Sequence, residues 1–287
     1  HTYTMPNPLG AFYTDTGTSY YTFRDNVIEN TGMDYNTGGP TYSIGNLVTH
    51  NFSSSAEAST VNLQGVAKDG ITEQPIRFVP YNYPLEAISI VENAGPLQAY
   101  WHLRDTIPEK MFEQPEWSMY DNGVHVSNHG SMNDDRFLNW YLKMHLTNAQ
   151  KLLQMAQDEM KAGESVYGSE AMEALQAAID DGKSVAAVRP IDRELVRDAA
   201  IVVRKAIMTL GLSRELKPYD ELYRTVSAAL ADTKIGTGVG NSTQADYTAL
   251  ESALQYTPEA YQKLDSERQR LASLKLEKSY DAFLKAK

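Results

Sequence analysis

The stretch GAFYTDTGTSYYTFRDNVIENTG, Gly10 to Gly32, decides how the first half of this 287-residue chain is read. Its second part, YYTFRDNVIENTG (Tyr20–Gly32), has a counterpart in TYSIGNLVTHN (Thr41–Asn51). Each holds a short β-prone run, an Asn, two aliphatic residues and a polar turn. Asn26-Val27-Ile28 recurs as Asn46-Leu47-Val48, a spacing of 20 residues. Periods of this size mark the coils of a solenoid, in which each coil covers the face of the one before. Asn side chains stacked at a tight turn can hydrogen-bond along the stack and tolerate left-handed backbone angles. A β-meander whose two strands share an Asn fits the same spacing.

Composition divides the chain. Residues 1–120 hold 9 of the 12 prolines, 10 of the 18 tyrosines and 18 charged residues, whereas residues 121–287 hold 45 charged residues and 3 prolines. The first half therefore reads as short strands and turns and the second as amphipathic helices. Between them, MYDNGVHVSNHGSMNDD (Met119–Asp135) is a linker or docking loop. The expected domains are 1–118, a linker at 119–135, and helical bundles at 136–211 and 212–287. The net charge of −11, with no basic run, argues against nucleic acid and anionic membrane as partners. No apolar run approaches the roughly 18 residues that span a bilayer. The absence of Cys excludes disulfides and thiol chemistry. Because the first residue is His1 and not Met, the sequence is expected to begin after a cut, made by signal peptidase, by another protease or by design.

The Gly10–Gly32 stretch resembles the last regular coils of right-handed parallel β-helix proteins of the pectate-lyase-like group. In their glycoside-hydrolase members a G-I-Y-x-D-x-G-S turn precedes x-I-x-N-N-V-I-x-N. The matching residues here are Gly10, Phe12, Tyr13, Asp15, Gly17 and Thr18, then Asn26, Val27, Ile28 and Asn30. YPLEAISIVENAGPLQAYWHLRD looks like the segment that follows the last coil there: a helix opened by Pro84 and stopped at Gly95-Pro96, then a second ending near Tyr100. The resemblance spans about Met5 to Asp105. It implies terminal coils of a right-handed parallel β-helix; with the helical second half the expected fold is α+β multi-domain, those coils being followed by an α-helical tail of two tandem three-helix bundles. Two or three coils cannot bury a core alone, so the His1–Gly10 end is expected to be covered by preceding coils or by a partner chain.

In the second half, Asp134 or Asp135 can cap a long helix ending at Gly163. Ser169 caps one that stops at Gly182, and Asp192 caps one with Leu195, Ala199, Val202, Val203 and Ile207 at helical spacing, stopping at Gly211. Pro218 opens a fourth. Thr243 to Tyr256 forms a fifth, and Thr257 with Pro258 opens a long helix to the C-terminus. The pattern resembles the FIVAR-type helical repeats of bacterial cell-surface glycosidases, which serve as spacers. GTGVGNS (Gly236–Ser242) lacks the preceding strand and Lys of a phosphate loop and reads as an inter-helix loop.

Asp15 is the first catalytic candidate, because the resembling Y-x-D-x-G turn lies on the active surface of those enzymes. Glycoside hydrolysis needs two carboxyls, one protonating the leaving oxygen and the other attacking the sugar or activating water. Asp25 and Asp34 are the nearest partners, and Asp25 is taken as the second catalytic candidate. Asp15 before Thr-Gly also forms a good Asx turn, and Asp25 beside Asn26 can simply bond backbone amides. Tyr13, Tyr20 and Tyr21, with Arg24, are the expected substrate-binding residues, the rings stacking on sugars or along the protein surface. Trp101, His102 and Arg104 read as a lid. An N-terminal His1 could hold copper only with a second His on its face. His125 and His129 stand at i, i+4 in a Gly/Asn-rich loop, which does not support a metal site. No cofactor is expected, and nothing in the sequence supports a calcium ion.

The expected function is that of a fragment or subunit of a secreted or cell-surface bacterial glycoside hydrolase acting on an oligosaccharide. The alternatives are a non-catalytic carbohydrate-binding module on a helical stalk, and a polysaccharide lyase. A lyase is disfavoured because residues 1–105 carry only Arg24, Lys68, Arg77 and Arg104 as cations. The sugar, linkage and stereochemical outcome stay open.

Overall fold

The computed structural model describes residues 12–14, 21–29, 35–37, 47–55, 74–94, 135–237 and 240–286. Seven very short strands lie among them: β1 (Phe12–Thr14), β2 (Thr22–Arg24), β3 (Val27–Ile28), β4 (Tyr35–Thr37), β5 (Leu47–Thr49), β6 (Phe52–Ser53) and β7 (Ile76–Arg77). They pair only in parallel, as β1–β4, β2–β5 and β3–β6–β7. The helices are α1 (Leu85–Asn93), α2 (Asp135–Ala162), α3 (Ser169–Ala187), α4 (Arg193–Leu212), α5 (Tyr219–Ala231), α6 (Gln244–Ala253), α7 (Pro258–Tyr261) and α8 (Ser266–Ala286).

This corrects the expected fold. Helices carry most of the described residues, and the strands make three small sheets of two or three strands each, not a right-handed parallel β-helix. Strands of two or three residues in so few layers enclose little apolar volume. The 20-residue period also fails. Thr22 pairs with Leu47 and Val27 with Phe52, so Asn26 stacks on Asn51, 25 residues away, and not on Asn46. The small core here is Ile28, Val48, Phe52 and Phe78. The His1–Gly10 end, the second short helix near Tyr100, the linker but for Asp135, which starts α2, and Trp101, His102, Arg104, His125 and His129 lie outside the described residues.

The chain divides into two compact units, one of residues 1–82 and 93–214, the other of residues 83–92 and 215–287. In the first, α2, α3 and α4 enclose a core that includes Val79, Leu142, Leu152, Leu175, Ile179, Val203 and Leu210. On α3 the buried positions Ala171, Leu175, Ala178, Ile179, Gly182 and Ala186 follow the 3–4 spacing of one helical face. Gly182 does not stop the helix, because it is a contact point. A β-carbon there would lie 2.6 Å from Leu146 Cδ2 and 3.5 Å from Val203 Cγ2. The N-cap of α3 is Gly168, not Ser169. Asp192 caps α4 by accepting from the amides of Glu194 and Leu195. The buried face of α4 is Val196, Ala200, Val203, Ile207 and Leu210, and the expected core residues Leu195 and Val202 are exposed.

Ahead of this bundle, the segment after β7 is anchored to it by a buried polar cluster. Asn82 Nδ2 donates to Glu159 Oε2 (2.8 Å), and lies 3.0 Å from Tyr167 Oη and 3.2 Å from Ser165 Oγ. Tyr167 Oη donates to Glu159 Oε2 at 2.5 Å, and Arg214 Nε donates to Ser165 Oγ at 3.2 Å. Burial first, then the Glu159 charge, hold the Tyr167 phenol well above its ordinary range, so it stays a neutral donor.

The second unit packs α5, α6 and α8 around Tyr219, Leu222, Val226, Leu250, Leu276 and Phe283. Thr243 caps α6, and Thr257 with Pro258 at the first position opens α7. The expected single terminal helix is instead interrupted. α7 ends at Tyr261, and Asp265 accepts from the Arg268 amide to start α8 afresh. The ring of Tyr261 stacks flat on Tyr219, centroids 3.9 Å apart. Helix α1 belongs to this unit, tied by Lys275 Nζ to Glu92 Oε2 at 2.6 Å. The loop Gly236–Ser242 is closed by Gly236 N donating to Ser242 O and Ser242 N to Lys234 O.

Candidate functional site

The corners between β2 and β3 and between β5 and β6 build the site. At each, one residue turns the chain with a left-handed backbone: Asp25 (φ 55°) and His50 (φ 50°). Neither is Gly, though Asp and His are among the residues that tolerate this conformation. Each is followed by an Asn. Asn51 Oδ1 accepts from both the amide (3.1 Å) and the Nδ2 (2.9 Å) of Asn26, while Asn51 Nδ2 donates to the carbonyls of Phe23 and Thr49. This ladder, with Asp25 N donating to His50 O at 3.0 Å, fixes the two corners over each other.

The side chains before the ladder project outward. His50 Nδ1 lies 2.6 Å from Asp25 Oδ1, and Arg24 Nε donates to Asp25 Oδ2 at 2.6 Å. All three side chains are substantially exposed. The hydrogen bonds from His50 first and Arg24 second hold the Asp25 carboxyl below its usual range, with their charges assisting and slight burial opposing. Asp25 is thus an ionised carboxylate with a donor on each oxygen. With Nδ1–H directed at the carboxylate, Nε2 is the ring nitrogen that Asp25 does not engage. The His50 ring meets Phe52 edge-on, centroids 5.0 Å apart. At the other end of β2 Tyr21, 58% exposed, stacks on Phe23 at 6.4 Å.

Of the residues expected from sequence, Asp25 and Arg24 come together here, while Tyr21 stands at the other end of β2, against Phe23. Tyr13 stands in β1 opposite Asn36. Asp15, Tyr20 and Asp34 lie outside the described residues. In the sequence His50 is one of several histidines with nothing to single it out. The signal that finds it is the alignment of FRDNVI (Phe23–Ile28) with VTHNFS (Val48–Ser53), which places Asp25 over His50. His145 has no such place, being fully buried in α2. Among the described residues no three His, Asp or Glu side chains gather as a metal site, and no helix is long and apolar enough to cross a membrane.

Comparison with protein families, with curated proteins and with solved structures finds no match. The resemblance of Gly10–Gly32 to β-helix glycosidases therefore has no family match behind it, and the helical architecture removes the fold that it implied. The corner remains as a chemical arrangement: an ionised carboxylate, an aligned imidazole and a guanidinium.

Proposed function

We propose that this protein acts outside the cell on an oligosaccharide, as part of a glycoside hydrolase, with Asp25 as the ionised member of its carboxyl pair. The observation that carries this reading is the Asp25 carboxylate, exposed yet anchored at both oxygens, at the end of a strand that starts next to the exposed Tyr21. In either hydrolytic scheme one carboxyl must be charged, as nucleophile or as base, and the other protonated, as acid. A carboxyl held below its ordinary range fits the first role and not the second. Asp15 is the candidate acid. Tyr21 offers a flat apolar face for a sugar ring, and Arg24 a donor fork for its hydroxyls. The scheme requires no cofactor.

The test is hydrolysis of a panel of 4-nitrophenyl glycosides and labelled oligosaccharides by the wild type, Asp25→Asn and Asp15→Asn. Each variant is expected to lose roughly 10²–10⁴-fold in kcat with little change in KM. If Asp25 is the nucleophile, azide restores turnover to Asp25→Ala. Wild-type turnover by Asp25→Asn would refute the role.

A second reading has a specific observation behind it. A carboxylate engaged at both oxygens is a weakened nucleophile, and the exposed Arg24 and His50 donors suit passive sugar binding. The protein would then be a carbohydrate-binding surface module with helical spacers. Retention of the oligosaccharides without turnover favours this reading.

A further inference from the structure

We propose that His50 is a positioning residue for Asp25: through Nδ1 it fixes the direction in which that carboxylate is presented and keeps it charged. The inference rests on the reading of Asp25 as the ionised catalytic carboxylate. Three observations carry it. The Asn26–Asn51 ladder and the backbone bond from Asp25 N to His50 O already hold the two corners together. The Asp25–His50 side-chain pair is therefore additional to what the fold requires. Both residues are held in the left-handed region, where Gly or Asn would sit with less strain, and strain of this kind gathers at functional positions. Finally, the imidazole is oriented at two points, at Nδ1 by the Asp25 carboxylate and at its edge by the Phe52 ring.

The geometry divides the labour. Arg24 holds Oδ2 from the neighbouring position in the same strand end, and His50 holds Oδ1 from the stacked corner. Among the described residues these are the charged or titratable side chains bonded to Asp25. Arg24 alone would leave the carboxyl free to rotate about its single anchored oxygen. With His50 in place the plane of the carboxylate is defined, as a nucleophile or base requires. Because His50 approaches from the other corner, its loss changes the orientation and charge of Asp25 without removing a core contact of β2.

The experiment is a carboxyl-carbon NMR titration of Asp25 in the intact protein, wild type against His50→Asn and His50→Gly, with no ligand added. Asn tolerates the left-handed backbone and Gly relaxes it, so at least one variant keeps the corner. The Asp25 midpoint is expected to rise in both, toward the ordinary carboxylate range. In the glycoside assay kcat falls by roughly tenfold to a hundredfold, its acid limb moves to higher pH, and KM changes little. Arg24→Gln serves as the comparison that removes the other anchor. An unchanged Asp25 midpoint in the folded His50 variants overturns the inference. A raised midpoint in a protein whose wild type cleaves no glycoside leaves the His50–Asp25 coupling standing as geometry and overturns the hydrolytic role, so the two failures are read separately.

Discussion

Replacing Gly211 by Ala should destabilise the first unit far more than a single methyl suggests. An ideal β-carbon at Gly211 would lie 2.1 Å from the carbonyl oxygen of Pro80, 2.8 Å from its carbonyl carbon and 3.1 Å from its Cβ. Unstrained carbon–oxygen contacts begin near about 3.3 Å. The Pro80 backbone must therefore retreat by about 1 Å or more, and backbone cannot rotate out of the way as a side-chain tip can. Two residues on, Asn82 holds Glu159, Ser165 and Tyr167 at 2.8–3.2 Å. A shift of that size carries those pairs past hydrogen-bond range. Overpacking costs about 1–3 kcal/mol, and each buried polar group left unsatisfied about 1–3 kcal/mol more. The helical preference for Ala over Gly returns at most about 1 kcal/mol, and less in the last turn of α4. The net expectation is about 2–4 kcal/mol, which at this size lowers Tm by roughly 5–15 °C. Calorimetry of wild type and Gly211→Ala measures it. Gly182→Ala is the internal contrast: its nearest atom is the end of the Leu146 side chain, so it should change stability by less than about 1 kcal/mol. Combined with Asn82→Ala, Gly211→Ala should be clearly non-additive, because both disturb one contact. A Gly211→Ala protein as stable as the wild type would refute the reasoning.

The remaining predictions concern charge and caps. Burial pulls the His145 pKa down to about 4, so the unfolded chain takes up a proton that the folded one refuses. Stability therefore falls as pH drops from about 6.5 to about 4, by roughly 3 kcal/mol in all, and denaturant curves across that range should flatten in His145→Gln. Asp25 titrates with the opposite chemistry and the same direction: its folded pKa is depressed, so its contribution is present above the unfolded carboxyl range and lost as pH falls through the folded value, and Asp25→Asn should remove that step from the pH–stability curve. Asp192→Ala leaves the Glu194 and Leu195 amides without their cap and should cost about 1 kcal/mol, read by thermal unfolding. Glu92→Gln weakens the half-sheltered bond to Lys275 and should speed hydrogen exchange in α1 while leaving α2–α4 unchanged.

The helices are legible where a side chain announces its own role. Asp192, Thr243 and Thr257 each precede an apolar run and do cap the helices read from them. Legibility ends where a residue acts on a neighbour distant in sequence. Gly182 reads as a helix stop, yet it is a notch that admits Leu146, a fact that resides in α2. The buried face of α4 shares Val203 and Ile207 with the expected one but not Leu195 and Val202, which match the apolar period as well as Val196 does, and only packing decides between them. The break after Tyr261 is written in Asp265-Ser266-Glu267, a capping pattern overshadowed by the stronger Thr257-Pro258 signal. Strands of two or three residues leave no period of their own, so parallel layers can be inferred only from recurring Asn, and Asn46 offers a false partner.

That false partner matters for the site as well as the fold. Aligning Asn26 with Asn46 sets Asp25 against Gly45 and leaves it an isolated corner carboxylate, for which bonding to nearby amides is a sufficient account. The observed register sets Asp25 against His50, and the same residue becomes one half of a hydrogen-bonded pair with strained backbone on both sides. The two Asn residues are what hold the corner, bonding each other and the adjoining carbonyls. Once they do, nothing in the folding of the corner requires the residue before each Asn to be charged, aligned or directed outward. Asp25 is charged, and both side chains are aligned with each other and exposed. A residue pair that exceeds what its turn requires, on an exposed edge, is where chemistry should be sought first.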